Sequence, residues 1–506
     1  METKRTGWWS CPQEIQDMIL NEVSRDRNSS IAHCAAVCRS WQQVIEKKTF
    51  ARLTVTLKRL GDFSSMTKKR RHLIKNVWLS IDCAAVGRPT DFALYKTISS
   101  LLLELSKWEA RGEFHLEISV RWAADSHQCF QYLQTGSDSH HREEPDRTVS
   151  PADHSEPARR LHSHCLMHLF ARLYHASIRC LFPADFPSVP AVTSLLVRRQ
   201  TKCEWISREG FNRLLDLLPN LRQIHYEPWR SLEGRNSVRN TRITVEGLHR
   251  ATFCHNLAKV VVFGDFNEDF DECWRADRRW HRVPISSSRT NPRMASPEIG
   301  QAFAQISRPL VHLSLSFAAD ASDFFETCQR SWIWTRLTSL ALTSNLLAPN
   351  KDPKIVNDML EKAGIVALQM PKLDVMELWN GRRGLACVFR YQASRDRAGH
   401  NAKITWRSTW PLELEPRVCK AWAAVAVKRD KREGEFDVVK DPEILNFGED
   451  EIRSHGDAIH HLQLVSEVMR PVSLWQIRYE SRFLIDGASI GREAPCCLLN
   501  LPGRMV

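Results

Sequence analysis

The sequence predicts an α plus α/β chain: a small N-terminal helical hairpin, an irregular repeat-like α/β solenoid after it, and a capping α/β region at the C-terminal side. Three observations predict this. Two short apolar periodicities of helical spacing lie within residues 13–45, separated by Asn28-Ser29-Ser30. A pattern of apolar, two variable, apolar, one variable, apolar returns six times between Val192 and Leu378. Beyond about residue 392 that pattern stops, although helical and strand-like stretches continue.

At 506 residues the chain exceeds what one core ordinarily fills, so several units are expected. The boundaries fall at 1–60 for the helical unit, 61–133 for a linker with the first repeat-like elements, 134–160 for a disordered insertion, 161–391 for the repeat-like body, and 392–506 for the cap. Residues 134–160 earn their assignment by lacking large apolar side chains, which leaves nothing to offset the entropy of ordering them. A second polar insertion is expected at about 266–298, and a third interruption near 392–402.

In the first unit, Pro12 suits a first helical turn, and Glu14 suits the positive end of the helix dipole. Ile15, Met18, Ile19 and Val23 then form one apolar stripe. In the second helical stretch Ile31, Cys34, Ala35, Cys38 and Ile45 mark one face, and Val37, Trp41 and Val44 another. A helix apolar on two sides has more surface than its own hairpin covers, so the surplus is expected to meet another protein.

Pro12-x-Glu14-Ile15 with Ile19-Leu20, then Val37-Cys38-Arg39-x-Trp41 and Val44-Ile45, resembles the F-box motif. The likeness covers about 40 residues and extends through Thr49-Phe50-Ala51-Arg52-Leu53, which is similar to F-box proteins of filamentous fungi. The resemblance implies docking on a Skp-family adaptor, and through it a cullin-based ubiquitin ligase, with Pro12, Ile15, Ile19, Val37, Cys38 and Trp41 in contact. One departure is Cys11, where that family usually has Leu; each lost methylene weakens docking by on the order of 1 kcal/mol.

The six repeated segments begin Val192-x-x-Leu195-x-Val197, Leu221-x-x-Ile224-x-Tyr226 and Leu257-x-x-Val260-x-Val262. They continue as Leu310-x-x-Leu313-x-Leu315, Leu337-x-x-Leu340-x-Leu342 and Leu373-x-x-Met376-x-Leu378. Weaker versions start at Ile74 and Phe114. This resembles the strand signature of a leucine-rich repeat, and apolar helical stretches between the segments imply a parallel sheet with outer helices. A concave strand face would then hold a client. Farther on, residues 403–410 alternate as a strand, 418–427 read as a helix, and Ser454 to Trp475 again resembles the fungal F-box proteins.

The net charge of +12 raises nucleic acid as a partner, but 71 basic and 59 acidic residues interleave through most of the chain, making nucleic acid the less favoured one. Lys68-Lys69-Arg70-Arg71 reads as a solvated turn, with a phosphate-contacting or nuclear-import patch as its alternative. A polar beginning and the lack of any apolar run of membrane-spanning length place the protein in cytoplasm or nucleus with reduced thiols, and exclude a membrane partner.

No cofactor, metal or catalysis is expected. The His162, His164, Cys165 and His168 cluster reads as the outer side of an amphipathic helix, not a zinc site. His455, Asp457, His460 and His461 read as structural or interfacial, and Gly487-Ala488-Ser489-Ile490-Gly491 as a small-residue turn, because no His follows Ser489 as a hydrolase order requires. The expected function is client recruitment to a ubiquitin ligase by proximity, with a repeat scaffold free of ligase or a nucleic-acid binder as its rivals.

Overall fold

A computed structural model describes residues 8, 11–23, 31–82, 91–121, 182–183, 185–199, 208–228, 245–252, 257–264, 297–394, 401–430 and 436–483. The insertion expected at 134–160 and most of those at 266–298 and 392–402 lie outside these residues. No helix among the described residues is long and apolar enough to cross a membrane.

Twelve strands form one sheet in sequence order. They are β1 (Arg52–Val55), β2 (Asn76–Asp82), β3 (His115–Arg121), β4 (Ser194–Val197), β5 (Gln223–Tyr226), β6 (Lys259–Phe263), β7 (His312–Asp320), β8 (Ser339–Thr343), β9 (Val375–Arg382), β10 (Leu385–Gln392), β11 (Ala402–Ser408) and β12 (Phe436–Asp441). β1 to β9 run parallel, β10 is antiparallel to both neighbours, and β12 is parallel to β11. The β9–β10 reversal needs only Arg383 and Gly384, whose φ of +68° is a glycine conformation.

Parallel neighbours require crossovers, and the described ones are helical. Before the sheet come α1 (Gln13–Val23), a 3-10 turn (Ile31–Ala36) and α2 (Arg39–Thr49). The crossovers use α3 (Leu57–Thr67), α4 (Asp91–Leu105), α5 (Arg208–Asp216), a helical turn at 245–252, α6 (Pro297–Ile306), α7 (Ala321–Thr327), α8 (Pro353–Ala367) and α9 (Pro416–Asp430). Local chemistry starts them. Asp352 accepts a hydrogen bond from the Lys354 amide at 2.9 Å, with Pro353 at the first helical position of α8. Asp320 caps α7 through the Ser322 amide at 2.9 Å. Val356, Met359, Leu360, Ala363 and Val366 then give α8 its buried stripe.

All these crossover helices share one core with one face of the sheet, where Leu116, Leu195, Ile224, Val260, Leu313, Leu340 and Met376 point. Every repeated segment of the sequence is thus a strand. The second face is also covered. Residues 444–483 turn back over it, carrying α10 (His455–Leu462) and α11 (Pro471–Phe483). Ile459, Leu462, Val468, Met469 and Ile477 close a second core against Phe263, Phe317, Trp379 and Val388. Phe317 reaches that face from a bulge in β7, with φ of +57°, and meets the Trp379 ring edge-on at 5.2 Å.

The repeat-like solenoid with a C-terminal cap is therefore corrected: the structure is one twelve-stranded, mostly parallel sheet with helices on both sides. The apolar pattern reports only the face beneath the crossovers. The positions between, read as variable and client-facing, are buried under the returning segment 444–483. Nor is there a cap, since β10, β11 and β12 extend the same sheet. The N-terminal helical hairpin is not shown either. Its expected turn, Asn28-Ser29-Ser30, lies outside the described residues, and α2 is fastened to the body through buried Ile45 and a 2.6 Å Arg70–Glu46 ion pair.

Two glycines should respond oppositely to a methyl group. A Cβ on Gly381 would lie 2.5 Å from Ala458 Cβ, so Gly381→Ala must push α10 off β9 and lose about 1–3 kcal/mol in urea unfolding. Gly61, inside α3, has nothing within 4 Å of such a Cβ, and Gly61→Ala should gain about 0.5–1 kcal/mol.

Candidate functional site

The buried chemistry of this protein lies between the second face of the sheet and the returning segment. Strand alternation places Glu117 on β3, His225 on β5, Glu377 on β9 and Arg390 on β10 in one register row, with Leu196, Val261, Ser314 and Ala341 between them. A charge inside a sheet covered on both faces must be paired there.

The pairing follows the returning segment. Arg390 donates to the carbonyls of Leu462 and Gln463 at 3.0 and 2.8 Å, satisfying the open end of α10, where Gln463 turns left-handed with φ of +49°. Glu377 accepts from Arg390 Nε at 2.7 Å and from the amides of Val465 and Ser466 at 2.9 and 2.8 Å. Three and four strands on, at β6 and β5, Glu467 meets Lys259 at 2.5 Å and His225 Nδ1 at 3.5 Å. Glu227 takes His225 Nε2 at 2.9 Å, the Arg470 amide at 2.7 Å and the Ser473 hydroxyl. That puts a carboxylate at the start of α11, the positive end of its dipole. Finally Arg199 and Glu480 form a fully buried two-pronged pair, at 3.0 and 2.8 Å. Beside it Arg198 holds Glu117 at 2.6 and 3.2 Å, and Arg52 adds a third bond at 3.2 Å.

Titration at the centre of this seam is coupled. Burial alone would lower the His225 pKa, but hydrogen bonds and charge from Glu227 and Glu467 outweigh it, leaving it raised. Burial opposes ionisation of Glu227 and Glu467 as well. Bonds from His225, with Ser473 for Glu227 and Lys259 for Glu467, hold both carboxyls below their ordinary value. These partners lock chain to chain, which is the work of a clamp. None of these charges was singled out from the sequence, although Glu117, Glu377 and Arg198-Arg199 interrupt or end apolar strands, and that interruption is the signal.

The adaptor-contact residues predicted from sequence occupy α1, α2 and the turn before it. Pro12 is exposed, as are Ile15 (43%), Ile19 (42%) and Val37 (63%), with Met18 beside them at 65%. Leu20 and Ile45 are the inward partners. Cys38 and Trp41 are half-buried. The Trp41 ring packs on Trp8 at 5.1 Å, and Gln16 Nε2 donates to the carbonyls of Trp8 and Cys11 at 3.1 and 2.9 Å, fixing the entry to α1. Cys38 Sγ lies 3.1 Å from Ser40 Oγ, a hydrogen bond that draws the thiol below its ordinary pKa.

The remaining candidates divide. His455 is buried and stacks on Phe263 at 5.8 Å, Asp457 is bound by Arg478 at 3.0 Å, and the exposed His460 ring lies 5.1 Å from that of half-buried His461. The cluster at 162–168 and the turn at 487–491 lie outside the described residues. Among the described residues no three His, Cys, Asp or Glu side chains gather to hold a metal. A cleft of about 800 Å³ beside α5 sets Arg213 and Arg250 against Asp216 and Glu246, so its rim carries both signs.

Residues 252–470 match a family of unknown function (DUF6546), a span of less than half the chain. It runs from just before β6 to Arg470, where the returning segment meets Glu227. No curated protein matches the chain.

The coupled seam sets a pH window. The raised His225 pKa contributes stability that is complete below its unfolded value of 6.5 and lost as pH rises through the folded value. The lowered carboxyls contribute above 4.5 and lose it as pH falls. Thermal melting of wild type should therefore decline above pH 6.5 more steeply than that of His225→Gln. Parallel alkaline limbs would contradict the assignment.

Proposed function

We propose that this chain is the client-recognition subunit of a Skp–cullin–F-box ubiquitin ligase. The supporting observation is the exposed apolar row Ile15, Met18 and Ile19 on one side of α1, with Val37 exposed ahead of α2. Residues at i, i+3 and i+4 share a helix face, and side chains of this size gain about 1.5–3 kcal/mol each when fully covered. A Skp-family adaptor is the cover that the F-box resemblance supplies.

Within this reading the chain acts by proximity and needs no reacting group of its own. Client recognition cannot use the second sheet face, because the returning segment fills it with buried side chains. The client's surface falls instead on the outer helices or on β12, whose Val438 and Val439 are exposed at the sheet edge. Cys11, half-buried next to Pro12, weakens the adaptor contact relative to Leu.

Co-purification with a Skp-family adaptor and titration of the pair test this reading. Wild type should bind, and Ile15→Glu with Val37→Glu should weaken binding about a hundredfold or more, as loss of two central anchors does. Cys11→Leu should tighten it a few-fold. Failure of the folded wild type to bind, or indifference to the double substitution, would favour a scaffold that works without a ligase.

A further inference from the structure

The balance of charge over the whole chain conceals where its excess lies. Residues 39–75 hold eleven Lys and Arg against Glu46 and Asp62, a net of +9 within a chain of +12. The structure ties the turn within this stretch to the elements on either side of it. Arg70 pairs with Glu46 at 2.6 Å and lies over the Phe50 ring at 5.1 Å, tying the turn at 68–71 to the end of α2. Arg71 pairs with Glu104 at 3.0 Å and covers Trp108 at 5.4 Å, tying the same turn to α4. Lys75 donates its amide to the Ala51 carbonyl at 3.0 Å, which brings it beside the end of α2 as well. Thus half of the Lys68-Lys69-Arg70-Arg71 run is structural, and the other half is held outward by it.

Lys47, Lys58, Arg59, Lys68, Lys69 and Lys75 are all exposed, and none makes an ion pair among the described residues. We infer that these six cations form a binding surface for the phosphodiester backbone of a nucleic-acid duplex, read without regard to sequence. From Lys58 to Lys68 the α3 axis runs about 15 Å, a length over which a duplex presents roughly nine phosphate charges.

What the surface lacks selects the ligand. None of the Trp or Phe rings in 39–75 is exposed, and His72 alone gives no run of rings on which successive unstacked bases of a single strand could stack. The apolar stripe of α3, Leu60 and Phe63, turns into the sheet core. Its exposed apolar residues, Leu57 and Met66, stand at opposite ends with Asp62 between them, which is no face for entering a lipid surface. Protein interfaces use apolar and aromatic anchors and are poor in lysine at their centres, the reverse of this array.

The test titrates the full chain with fluorescent DNA and RNA duplexes of one sequence between about 50 and 200 mM salt. Binding by either duplex is expected, and the tighter one identifies which backbone is the ligand. Six cations at about −0.9 each predict a slope of log affinity on log salt near −5. The triple variant Lys58→Ala, Lys68→Ala, Lys69→Ala should flatten that slope by about three and weaken binding at least about tenfold. Asp62→Asn should tighten it. Unchanged thermal melting shows the triple variant folded; should it unfold, Lys69→Ala alone, with a slope flatter by about one, decides the matter. Absence of duplex binding, a slope shallower than about −2, indifference to these substitutions, or displacement by anionic vesicles or polyglutamate at lower charge concentration than by duplex overturns the inference. Adaptor capture depends on Ile15 and Val37 instead, so the two readings fail separately.

Discussion

The structure depends on the fate of one carboxylate. Glu377 sits in mid-strand with no exposure, and an isolated buried charge costs several kcal/mol. Arg390 supplies one partner, and two backbone amides of the returning segment supply the rest. Remove the segment and Glu377 is half-satisfied, Glu227 loses the start of α11, and Arg199 loses Glu480. Sheet and segment are consequently a single cooperative object. Breaking one buried pair leaves an uncompensated charge, worth about 3–5 kcal/mol.

Apolar packing adds to this but does not choose the path. Ile459, Leu462, Val468 and Met469 would serve against many surfaces. Arg390 under the end of α10, Glu377 under Val465 and Ser466, and Glu227 under Arg470 and Ser473 admit one line across the strands. Hydrogen-bond direction, not greasiness, gives the segment its register.

The strands were legible because each keeps its inward residues at fixed spacing, as in Leu310, Leu313 and Leu315 or Leu373, Met376 and Leu378. Helices such as α8 and α9 were legible by the same means. What covered the other side was not. Ser314, Glu377 and Arg390 look like solvent-facing residues when read one strand at a time, and the partners of the two charges stand as far as 89 positions away. Long-range pairing of this kind leaves no local periodicity. Ile15 and Ile19 of α1 were singled out only through the motif resemblance, because the apolar pattern placed the surplus surface on the second helical stretch. Trp41, read as part of the adaptor contact, lies half-buried against Trp8, a residue the motif does not include.

The order of the strands along the chain carries a consequence for biosynthesis. Each parallel strand pairs with the one made just before it, so the sheet can grow as it leaves the ribosome. Its second side cannot. Arg199 waits 281 positions for Glu480, and Phe263, Trp379 and Val388 stay bare until residues 459–477 emerge. A nascent chain stalled or cut before that point presents a broad sticky face with unpaired charges, the kind of species chaperones hold and proteases clear. Lesions in the last stretch should accordingly lower the amount of protein in the cell, even where every upstream element is intact.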